Sequence, residues 1–320
     1  MNTNANITPD DIIASEEKYK CVLAFNTDKY RDLKQLNSKA KYDVTYIDVL
    51  FKHVNGKELP LKLKFREQIT ASSAKMPATA DDQNPASNLL IQFKRMEYDD
   101  IKGGDYTPKE KSNAESQTKE NDRIRTNIKR YSSNNDKFVR ALTIIDFSYR
   151  EVCRELIAMQ KNLKFKLKKD KKMTDIPVFS IKQSTREEDG EDKELETPIF
   201  RLKLPICKKN NKVGYWSNYY ETFKRIVFDA RKMNKKNGFK RVPAKVKVGK
   251  KLKDLDAKNA RSFITAKSLV GGTVSFDCIV ASKFGLSLSN KFFELYVFRH
   301  KSKIVPVSLS NEEIESMRGG

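Results

Sequence analysis

Alternating apolar and polar positions in the first quarter of the chain predict two adjacent strands. Residues 44–51 are mostly β-branched or aromatic, and residues 59–65 alternate apolar side chains with polar ones that include Lys62 and Lys64. Asn55–Gly56 lies between the two runs, and both residue types tolerate the positive φ angles of a type I′ turn. The pattern therefore predicts a β-hairpin whose second strand places its lysines on the face opposite the apolar residues.

Short apolar runs elsewhere predict further strands. These runs are rich in β-branched and aromatic residues, which favour strands. They span residues 19–25, 89–96, 176–181, 199–207, 274–281, 284–288, 292–299 and 304–307. Because the strands dominate and are scattered from beginning to end, they favour a β-rich α+β domain, built as an antiparallel barrel or sandwich with helical and loop insertions.

One segment follows a helical period instead. Its apolar residues recur at alternating spacings of four and three, which places them on one helix face. They are Phe138, Leu142, Ile145, Tyr149, Val152, Leu156 and Met159. Asp136 is suited to cap this helix. The stripe fits a coiled-coil seam or, as the favoured interpretation, a helix packed on a sheet, and the aromatic segment 216–232 is predicted to be helical as well.

Three polar segments predict insertions in this domain. Residues 103–125 show no period, residues 187–196 hold seven carboxylates, and residues 231–253 hold eleven Lys or Arg and no acid. The acidic segment is interpreted as a solvated loop or as a mimic of DNA that occupies a basic groove, and the basic segment as an exposed arm. The predicted organisation is a single domain over residues 18–310, with inserted loops near 103–125, 184–196 and 231–258, between flexible tails at 1–17 and 311–320.

Composition narrows the class of protein. The 320 residues include 64 Lys or Arg against 42 Asp or Glu, a net charge of +22, and 38% of the residues are apolar. With 18 Phe and 12 Tyr the chain can build a core, so a fully disordered protein is excluded. No apolar run is long enough to cross a membrane, and the N-terminus lacks the pattern of a secretory signal. We therefore expect an intracellular protein with reduced cysteines and no membrane partner.

The usual motifs of catalysis and metal binding are missing from the sequence. His53 and His300 are the only histidines, neither lies in a nucleophile motif, and the four Cys form no CxxC pair. The phosphate-binding patterns GxxxxGK[ST] and GxGxxG are absent as well. The carboxylates available to a two-metal nuclease are Asp81–Asp82, Asp99–Asp100, and Asp146 and Asp277 within apolar runs, but no Glu-x-Lys strand motif accompanies them. We expect a protein that is not an enzyme and needs no metal or cofactor.

The excess of positive charge predicts a polyanionic partner, and its alternation with aromatic residues favours single-stranded nucleic acid. Examples are Phe93–Arg95, Tyr215–Trp216, Tyr219–Tyr220 ahead of Lys224–Arg225, and Tyr296–Arg299. Aromatic rings stack on unpaired bases, while neighbouring Lys and Arg hold the phosphates. Each ring can equally be a core residue; Trp216 is the best single candidate for stacking. The candidate nucleic-acid-binding residues are Lys62, Lys64, Phe93, Lys94, Arg95, Arg201, Lys203, Lys208, Lys209, Tyr215, Trp216, Tyr219, Lys224, Arg225, Lys235, Lys236, Lys240 and Arg241.

Several short segments follow one another in a characteristic order. They are Phe25 with Asp28–Lys29, residues 42–49 with Asn55–Gly56, Leu61 and Phe65, residues 91–94, residues 198–203, and residues 282–287. In this order and spacing the chain resembles the single-stranded-DNA-binding proteins of African swine fever virus and related large cytoplasmic DNA viruses.

The resemblance implies an OB-like antiparallel barrel that binds single-stranded DNA without sequence preference during viral DNA replication, repair or recombination. It also implies a setting in the host cytoplasm, at the site of viral replication, or in the virion. Viral replication proteins and further copies of the chain on DNA are the protein partners that fit this role. By position in the matching segments, a DNA contact is implied for Lys62, Lys64, Phe93, Lys94, Arg201 and Lys203.

The expected function is non-enzymatic binding of single-stranded nucleic acid, with DNA and RNA both open. Two alternatives stay open: a structural nucleoid or virion protein that packages duplex DNA by charge, and a metal-dependent nuclease. The expected function depends on cationic side chains and aromatic rings that share one continuous trough, wide enough for a single strand. The most informative observation is whether the basic side chains at positions 62, 64, 94, 201 and 203 converge on one concave face.

Overall fold

The computed structural model describes residues 7–25, 31–32, 44–77, 87–102, 114–159, 176–217, 220–233, 238, 240–282 and 284–298. This part of the chain is a β-rich α+β protein, as the sequence predicts. Its helices are α1 (Pro9–Lys18), α2 (Tyr98–Lys102), α3 (Ala114–Ala158) and α4 (Ala260–Phe263), and a 3₁₀ turn spans Ala230–Lys232. The predicted strand at 304–307 and the predicted tail at 311–320 lie outside the described residues.

Eighteen strands lie in the described residues. The first six are β1 (Leu23–Phe25), β2 (Arg31–Asp32), β3 (Val44–Lys52), β4 (Glu58–Pro60), β5 (Lys62–Ile69) and β6 (Asn88–Lys94). The next six are β7 (Val178–Phe179), β8 (Lys182–Glu188), β9 (Glu191–Cys207), β10 (Lys212–Ser217), β11 (Thr222–Arg225) and β12 (Val227–Asp229). The last six are β13 (Lys245–Val248), β14 (Lys251–Asp254), β15 (Leu269–Ser275), β16 (Cys278–Ser282), β17 (Gly285–Leu288) and β18 (Lys291–Phe298). The predicted run at 274–281 is divided between β15 and β16.

These strands form four sheets. The largest has seven strands, in the order β1-β3-β16-β17-β7 with β2 and β4 also paired to β3. A five-stranded sheet has the order β11-β10-β9-β6 with β8 paired to β9, a four-stranded sheet has the order β12-β18-β15-β5, and β13 pairs with β14 alone. Pairing is antiparallel except between β12 and β18 and between β17 and β7. No sheet in the described residues closes into a barrel, so the OB-like barrel is not confirmed.

The predicted N-terminal hairpin forms, but its second strand is divided between two sheets. β3 and β4 pair in antiparallel register. The turn between them differs from type I′, because Gly56 has a positive φ (84°) and Asn55 does not. Beyond Leu61 the chain leaves this sheet, and β5 pairs with β15 instead. Lys62 and Lys64 therefore belong to the four-stranded sheet.

Residues 9–17, predicted as part of a flexible tail, form helix α1. Thr8 caps it, because its backbone N–H donates to the Asp11 carboxylate (2.8 Å) and its hydroxyl accepts from the Asp11 backbone N–H (3.3 Å). Pro9 opens the helix, where a missing N–H costs nothing. Ile12 is fully buried and anchors the helix to the core. The tail prediction overlooked this Thr-x-x-Asp capping box.

Helix α3 packs on the sheets through its predicted apolar stripe. The favoured interpretation, a helix on a sheet, is therefore the one that forms, and the coiled-coil alternative is not. Its stripe residues Phe138, Leu142, Ile145, Tyr149, Val152 and Leu156 are buried. The ring centroid of Phe138 lies 4.7 Å from that of Phe65 on β5 and 5.2 Å from that of Phe93 on β6. Met159 lies past the end of the helix and is 42% exposed, so it is not part of the stripe.

The helix begins at Ala114, well before the predicted cap at Asp136. Its N-terminal half is held by a second apolar cluster. That cluster contains Ile69, Met96, Ile101, Ile128, Tyr131 and Leu269. Residues 114–125, predicted as a loop, are therefore helical, and their Glu, Gln, Lys and Arg content favours a helix. Although α3 is long, no helix in the described part of the chain is apolar enough over its length to span a membrane.

Both charged segments contain hairpins rather than loops. β8 and β9 pair across a turn in which Asp189 (φ 55°) and Gly190 (φ 80°) adopt positive φ, so the loop prediction near 184–196 is wrong. β13 and β14 pair around Gly249 (φ 60°), within the loop predicted near 231–258. These strands are charged and exposed, so they lack the apolar alternation by which half-buried strands are recognised.

The described residues of the segment 216–232 form mainly strands instead of the predicted helix. They contain the end of β10, the whole of β11 and β12, and the 3₁₀ turn. Trp216 on β10 lies opposite Phe223 on β11. Cross-strand aromatic pairs of this kind stabilise sheets, so these two rings serve a strand pair instead of a helix face.

A buried carboxylate joins α3 to the segment after β7. Asp146 accepts hydrogen bonds from the Ser180 hydroxyl (2.8 Å) and from the Ile181 backbone N–H (2.8 Å). One turn along the helix, the Tyr149 hydroxyl donates to the Leu286 carbonyl oxygen (2.7 Å). Both polar groups are satisfied within the protein, as buried polar groups must be. Asp146 is therefore a structural residue.

Candidate nucleic-acid interface

Strand β5 presents three cations on the outer face of the four-stranded sheet. Its alternation buries Leu63 and Phe65 and leaves Lys62, Lys64 and Arg66 at least partly exposed on the opposite face. We call these three cations the basic row. Lys64 and Arg66 form no ion pair with any residue that the structure describes. Their charges are therefore available to an anionic ligand.

Small residues of the central strand β15 form a floor beside the basic row. Gly271 and Thr273 face outward, and a Cβ added at Gly271 would meet its nearest atom at 3.4 Å, which is ordinary contact. A Cβ at Gly272 would lie only 2.2 Å from the carbonyl oxygen of Glu294. Glycine at position 272 therefore allows β15 and β18 to approach, and glycine at position 271 places no side chain on the outward face between Arg66 and Phe298.

Aromatic side chains of β18 form the opposite wall. Phe293, Tyr296 and Phe298 lie on this strand, and the two phenylalanines are each 40% exposed. We call these three aromatics the ring row. Phe228 of β12 stacks on Tyr296 with ring centroids 5.4 Å apart, and Tyr215 of β10 lies 6.4 Å from Phe293. The aromatic wall thus extends over three strands.

The basic row, the floor and the ring row enclose a groove of about 720 Å³. Because β15 lies between β5 and β18, the backbones that carry the two rows are about 10 Å apart. The Lys62 side chain reaches across this space, and its Nζ lies 5.4 Å from the Phe293 ring centroid. The residues that line the groove are Lys62, Lys64, Phe65, Arg66, Glu67, Arg241, Gly271, Gly272, Thr273, Phe293, Glu294, Tyr296 and Phe298. A ligand in this space contacts cations on one side and rings on the other.

The charge of the groove favours an anion. Its lining contains four cations against two carboxylates, and both carboxylates are already paired. Glu67 contacts Arg130 of α3 (2.9 Å), and Glu294 contacts Arg241 (2.7 Å) and accepts a hydrogen bond from the Tyr296 hydroxyl (2.9 Å). The two unpaired cations of the basic row therefore dominate the side that faces the ring row.

Protonation states at the groove suit this arrangement. Burial, together with a neighbouring carboxylate, raises the pKa values of Tyr215 and Tyr296, so both phenols stay neutral and can stack. Burial alone would raise the pKa of Asp277, but hydrogen bonds from Lys291 and Ser275 and the charges of Lys291 and Lys62 hold it below its usual value. Asp277 is thus ionised at neutral pH and held by cations at the edge of the groove.

Three other predicted contacts lie on a different sheet. Lys94 of β6 and Arg201 and Lys203 of β9 occupy the outer face of the five-stranded sheet, with Arg201 opposite Gln92. Arg201 and Lys203 line a separate cavity of about 230 Å³, and burial lowers the pKa of Lys203. The basic residues at 62, 64, 94, 201 and 203 therefore do not converge on one face, because they divide between two sheets.

Phe93 is fully buried, so its predicted contact with nucleic acid is wrong. Its ring lies 6.1 Å from that of Phe65 and 5.2 Å from that of Phe138, and stacking on a base would require opening the core. The strand alternation that exposes Lys94 is the physical cause. Arg95, beyond the end of β6, is exposed and contacts Glu97 (3.3 Å).

Trp216 lies beside the groove rather than in its lining. Adjacent side chains on a strand point to opposite faces, so Tyr215 meets the ring row while Trp216 faces away from it. The Lys209 Nζ lies 4.0 Å from the centroid of the Trp216 ring system, and the Lys224 Nζ lies 4.8 Å from the Tyr220 centroid. Each of these rings thus lies against one of the protein's own cations, as Phe293 lies against Lys62, and Tyr220 is still 62% exposed.

Arg225 has a structural partner. Asp254 of β14 accepts hydrogen bonds from the Arg225 guanidinium (2.9 Å) and from the Lys212 amine (2.8 Å). The hydrogen bond from Arg225, followed by the contribution of Lys212, lowers the pKa of Asp254 to about 2. This cluster joins the β13–β14 hairpin to β10 and β11.

The remaining predicted residues divide between surface positions and undescribed ones. Lys208 and Lys240 are exposed, and Arg241 reaches the groove. Tyr219, Lys235 and Lys236 lie outside the described residues. Their predicted role in binding nucleic acid stays a prediction.

The carboxylates considered for a nuclease have other surroundings. Asp99 and Asp100 lie in the first turn of α2, and the Asp100 carboxylate accepts a hydrogen bond from the Glu97 backbone N–H (3.1 Å). Carboxylates at this position stabilise a helix start. Asp81–Asp82 lies outside the described residues. No group of three or more His, Cys, Asp or Glu in the described part of the chain is placed to hold a metal ion.

Sequence reasoning missed two residues of the groove, Arg66 and Phe293, and one buried residue that packs behind it, Phe228. Arg66 continues the alternation of Lys62 and Lys64 and could have been included on that basis. Phe293 was hidden by its neighbour Phe292, because two adjacent apolar residues do not show which one faces water. Phe228 lies in the segment predicted to be helical, so its place beside β18 was not expected.

Comparison with known proteins adds no assignment. No protein-family model matches the chain, and no curated protein matches its sequence.

Proposed function

We propose that the protein binds single-stranded nucleic acid without sequence preference, in the groove on the outer face of the four-stranded sheet. The single observation that supports this proposal is the pairing of the basic row with the ring row across a floor of small residues. Phosphates of the strand contact Lys62, Lys64 and Arg66, while bases stack on Phe293, Tyr296 and Phe298. A binding role that involves no covalent step needs no catalytic residue.

The exposed rings favour a single strand over a duplex. In a duplex the flat faces of the bases are already stacked on one another, so the ring row would have nothing to stack on. In a single strand those faces are free, and each stacked base contributes about 1–3 kcal/mol. Every base has such a face, so this contact discriminates little between sequences.

The resemblance to viral single-stranded-DNA-binding proteins supports the same proposal from a different side. It suggests DNA as the natural ligand, and protection of unpaired strands during viral DNA replication, repair or recombination as the role. The resemblance also leads us to propose that the sheets are arranged as in an OB-like fold. Of the six residues for which the resemblance implies a DNA contact, Lys62 and Lys64 line the groove.

A titration of fluorescently labelled oligothymidine, followed by anisotropy, tests the proposal. We expect binding that weakens steeply between about 50 and 200 mM salt, because each neutralised phosphate releases counterions with a slope of about 0.7. A duplex of the same length should bind more weakly. Tighter binding of the duplex than of the single strand would overturn the proposal.

Removal of two rings tests the stacking contact. Phe293→Ala combined with Phe298→Ala should weaken oligothymidine binding at least about fivefold per ring, because each stacked base contributes roughly 1 kcal/mol or more. The matched control is Phe147→Ala, which removes a ring of similar exposure, 48%, from helix α3. Equal effects of the groove and control variants would contradict a stacking role for the ring row.

A further inference from the structure

The β13–β14 hairpin, which we call the ribbon, is a second cationic element of the protein. It contains five exposed lysines within ten residues, Lys245, Lys247, Lys250, Lys251 and Lys253. None of them forms an ion pair with another described residue. Five like charges on a two-stranded hairpin repel one another, so they favour a polyanionic ligand over water alone.

The ribbon also exposes two apolar side chains. Val248 is 43% exposed and lies opposite Lys251, and Leu252 is 65% exposed and lies opposite Lys247. Each apolar side chain is thus paired with a lysine on the same face of the ribbon. Cations beside an apolar side chain suit a nucleic-acid groove, where phosphates line the rim and sugars and bases form the apolar interior.

The base of the ribbon is fixed next to the groove. Arg241 lines the groove, and the chain then runs along β12, where the Ala244 N–H donates to the Val227 carbonyl oxygen (3.0 Å), and enters the ribbon at Lys245. Four residues span at most about 14 Å, so the ribbon begins close to the end of the groove. At its other end, Asp254 is held by Arg225 and Lys212.

We propose that the ribbon binds a groove of duplex DNA that continues from the strand held on the four-stranded sheet. The ligand would then be a junction between single-stranded and duplex DNA. This inference rests on the proposed function and names its substrate class. A two-stranded ribbon fits the major groove, which is about 12 Å wide. Leu252 and Lys247 share one face of the ribbon, and Val248 lies on the other face with Val246, which packs against the core. The ribbon lysines contact phosphates on both sides of that groove, and Leu252 contacts its interior.

Three labelled probes test the inference by anisotropy: oligothymidine of about 15 nucleotides, a blunt duplex of about 20 base pairs, and the same duplex with the oligothymidine as a tail. We expect the tailed duplex to bind at least about tenfold tighter than either part alone, because both elements engage one ligand. The ribbon variant combines Lys247→Gln, Lys250→Gln and Lys251→Gln. It should lose this advantage while binding oligothymidine within about twofold of the unmodified protein.

A matched control keeps the charge change constant. Lys119→Gln, Arg125→Gln and Lys129→Gln remove three exposed cations from helix α3 and should leave the preference for the tailed duplex in place. The ribbon variant should also lower the salt slope for the tailed duplex by roughly 2 to 3, at about 0.9 for each phosphate that is no longer neutralised. A single change, Leu252→Ser, should weaken only the tailed duplex, which separates apolar contact from charge.

The outcomes distinguish the two proposals. If the unmodified protein binds oligothymidine but binds the tailed duplex no more tightly, the junction inference is overturned and the proposed function stands. Equal losses with the ribbon and control variants also overturn it, as does a ribbon variant that weakens oligothymidine and tailed duplex alike. If oligothymidine is not bound at all, the proposed function itself fails.

Discussion

The outer faces of the four-stranded and five-stranded sheets hold similar cations but differ in where their rings point. The first face has Lys62, Lys64 and Arg66 beside a wall of exposed rings. The second has Lys94, Arg201 and Lys203, while the aromatic residues of its strands β6 and β9 are buried in the core. The cavity beside Arg201 and Lys203 is lined by a single ring, Phe179 of β7, which is 50% exposed. The first face has three rings opposite its cations and therefore offers the larger stacking surface. The comparison shows that basic residues alone do not identify an interface.

Two backbone features of β15 and β18 explain why rings are exposed on the outer face of the four-stranded sheet. The register between the two strands shifts between Thr273 and Val274, which leaves Phe293 as the extra residue of a bulge and turns its ring outward. Gly271 keeps the space beside it open. The five-stranded sheet holds longer side chains at the corresponding places, with Gln92 opposite Arg201.

The largest effects are expected at the two adjacent glycines of the groove floor. A substitution at one should lower stability, and a substitution at the other should weaken binding. Gly272→Ala should destabilise the protein by roughly 3 kcal/mol or more, because its Cβ would meet a carbonyl oxygen at 2.2 Å. Gly271→Val should leave stability within about 1 kcal/mol but fill the floor and weaken oligothymidine binding roughly tenfold. Urea unfolding and anisotropy measure the two effects. Tight binding by a folded Gly271→Val protein would show that the floor is not used.

The next prediction compares the cations of the two faces by removing three positive charges from each. Lys62→Gln, Lys64→Gln and Arg66→Gln together should weaken oligothymidine binding at least about tenfold at low salt and lower the salt slope by about 2. The matched variant replaces Lys94, Arg201 and Lys203 by Gln and should change binding by less than about threefold. Anisotropy titrations at several salt concentrations measure both. The comparison fails if the second variant loses as much as the first.

A smaller effect on stability is expected at the contact between Arg225 and Asp254. It tests whether Arg225 stabilises the fold, in contrast to the basic row, whose cations are proposed to bind the ligand. The pKa of Asp254 is lowered to about 2, below about 3.9 in the unfolded chain, so its contribution is present above about pH 4 and disappears as the pH falls toward 2. Asp254→Asn should cost at most about 2 kcal/mol at pH 7 and flatten the loss of stability between pH 4 and 2. Thermal melts across this pH range measure it. An unchanged acid profile would mean that the Arg225 contact contributes nothing.

The smallest effect is expected at Trp216. Trp216→Ala should change oligothymidine affinity by less than about threefold, because the ring faces away from the groove and is not part of its lining. Phe293→Ala, measured beside it by anisotropy, should cost more. A larger loss at Trp216 would move the stacking surface to the β10–β11 hairpin.

Helices and strands were predictable from the sequence wherever one face of the element is buried. The apolar stripe from Phe138 to Leu156 and the hairpin after Val44 follow from spacing alone, and both form. The pattern failed where a segment is polar on all sides, as at residues 114–125 and in the two charged hairpins. Asp189–Gly190 is a type I′ turn signal that the sequence contains and that the loop interpretation overlooked. The Thr8–Asp11 capping box is a second such signal.

The candidate site was predictable in part for the same reason. Alternation alone placed Lys62 and Lys64 on an outward face, opposite apolar residues that are buried. It also should have placed Phe93 in the core, because Phe93 shares its face with buried Ile91 rather than with Lys94. The ring row needs the bulge in β18, which no residue type specifies by itself.

Sequence by itself determined the charge, the strand-rich class and the inward or outward direction of most side chains, because these depend on composition and on neighbours one to four residues apart. Only the tertiary structure decided which sheet each strand joins. That choice depends on packing between residues far apart in the chain, such as Phe65, Phe93 and Phe138. It separated Lys64 from Arg201 and brought Lys64 opposite the ring row, which is why the groove could not be derived from spacing.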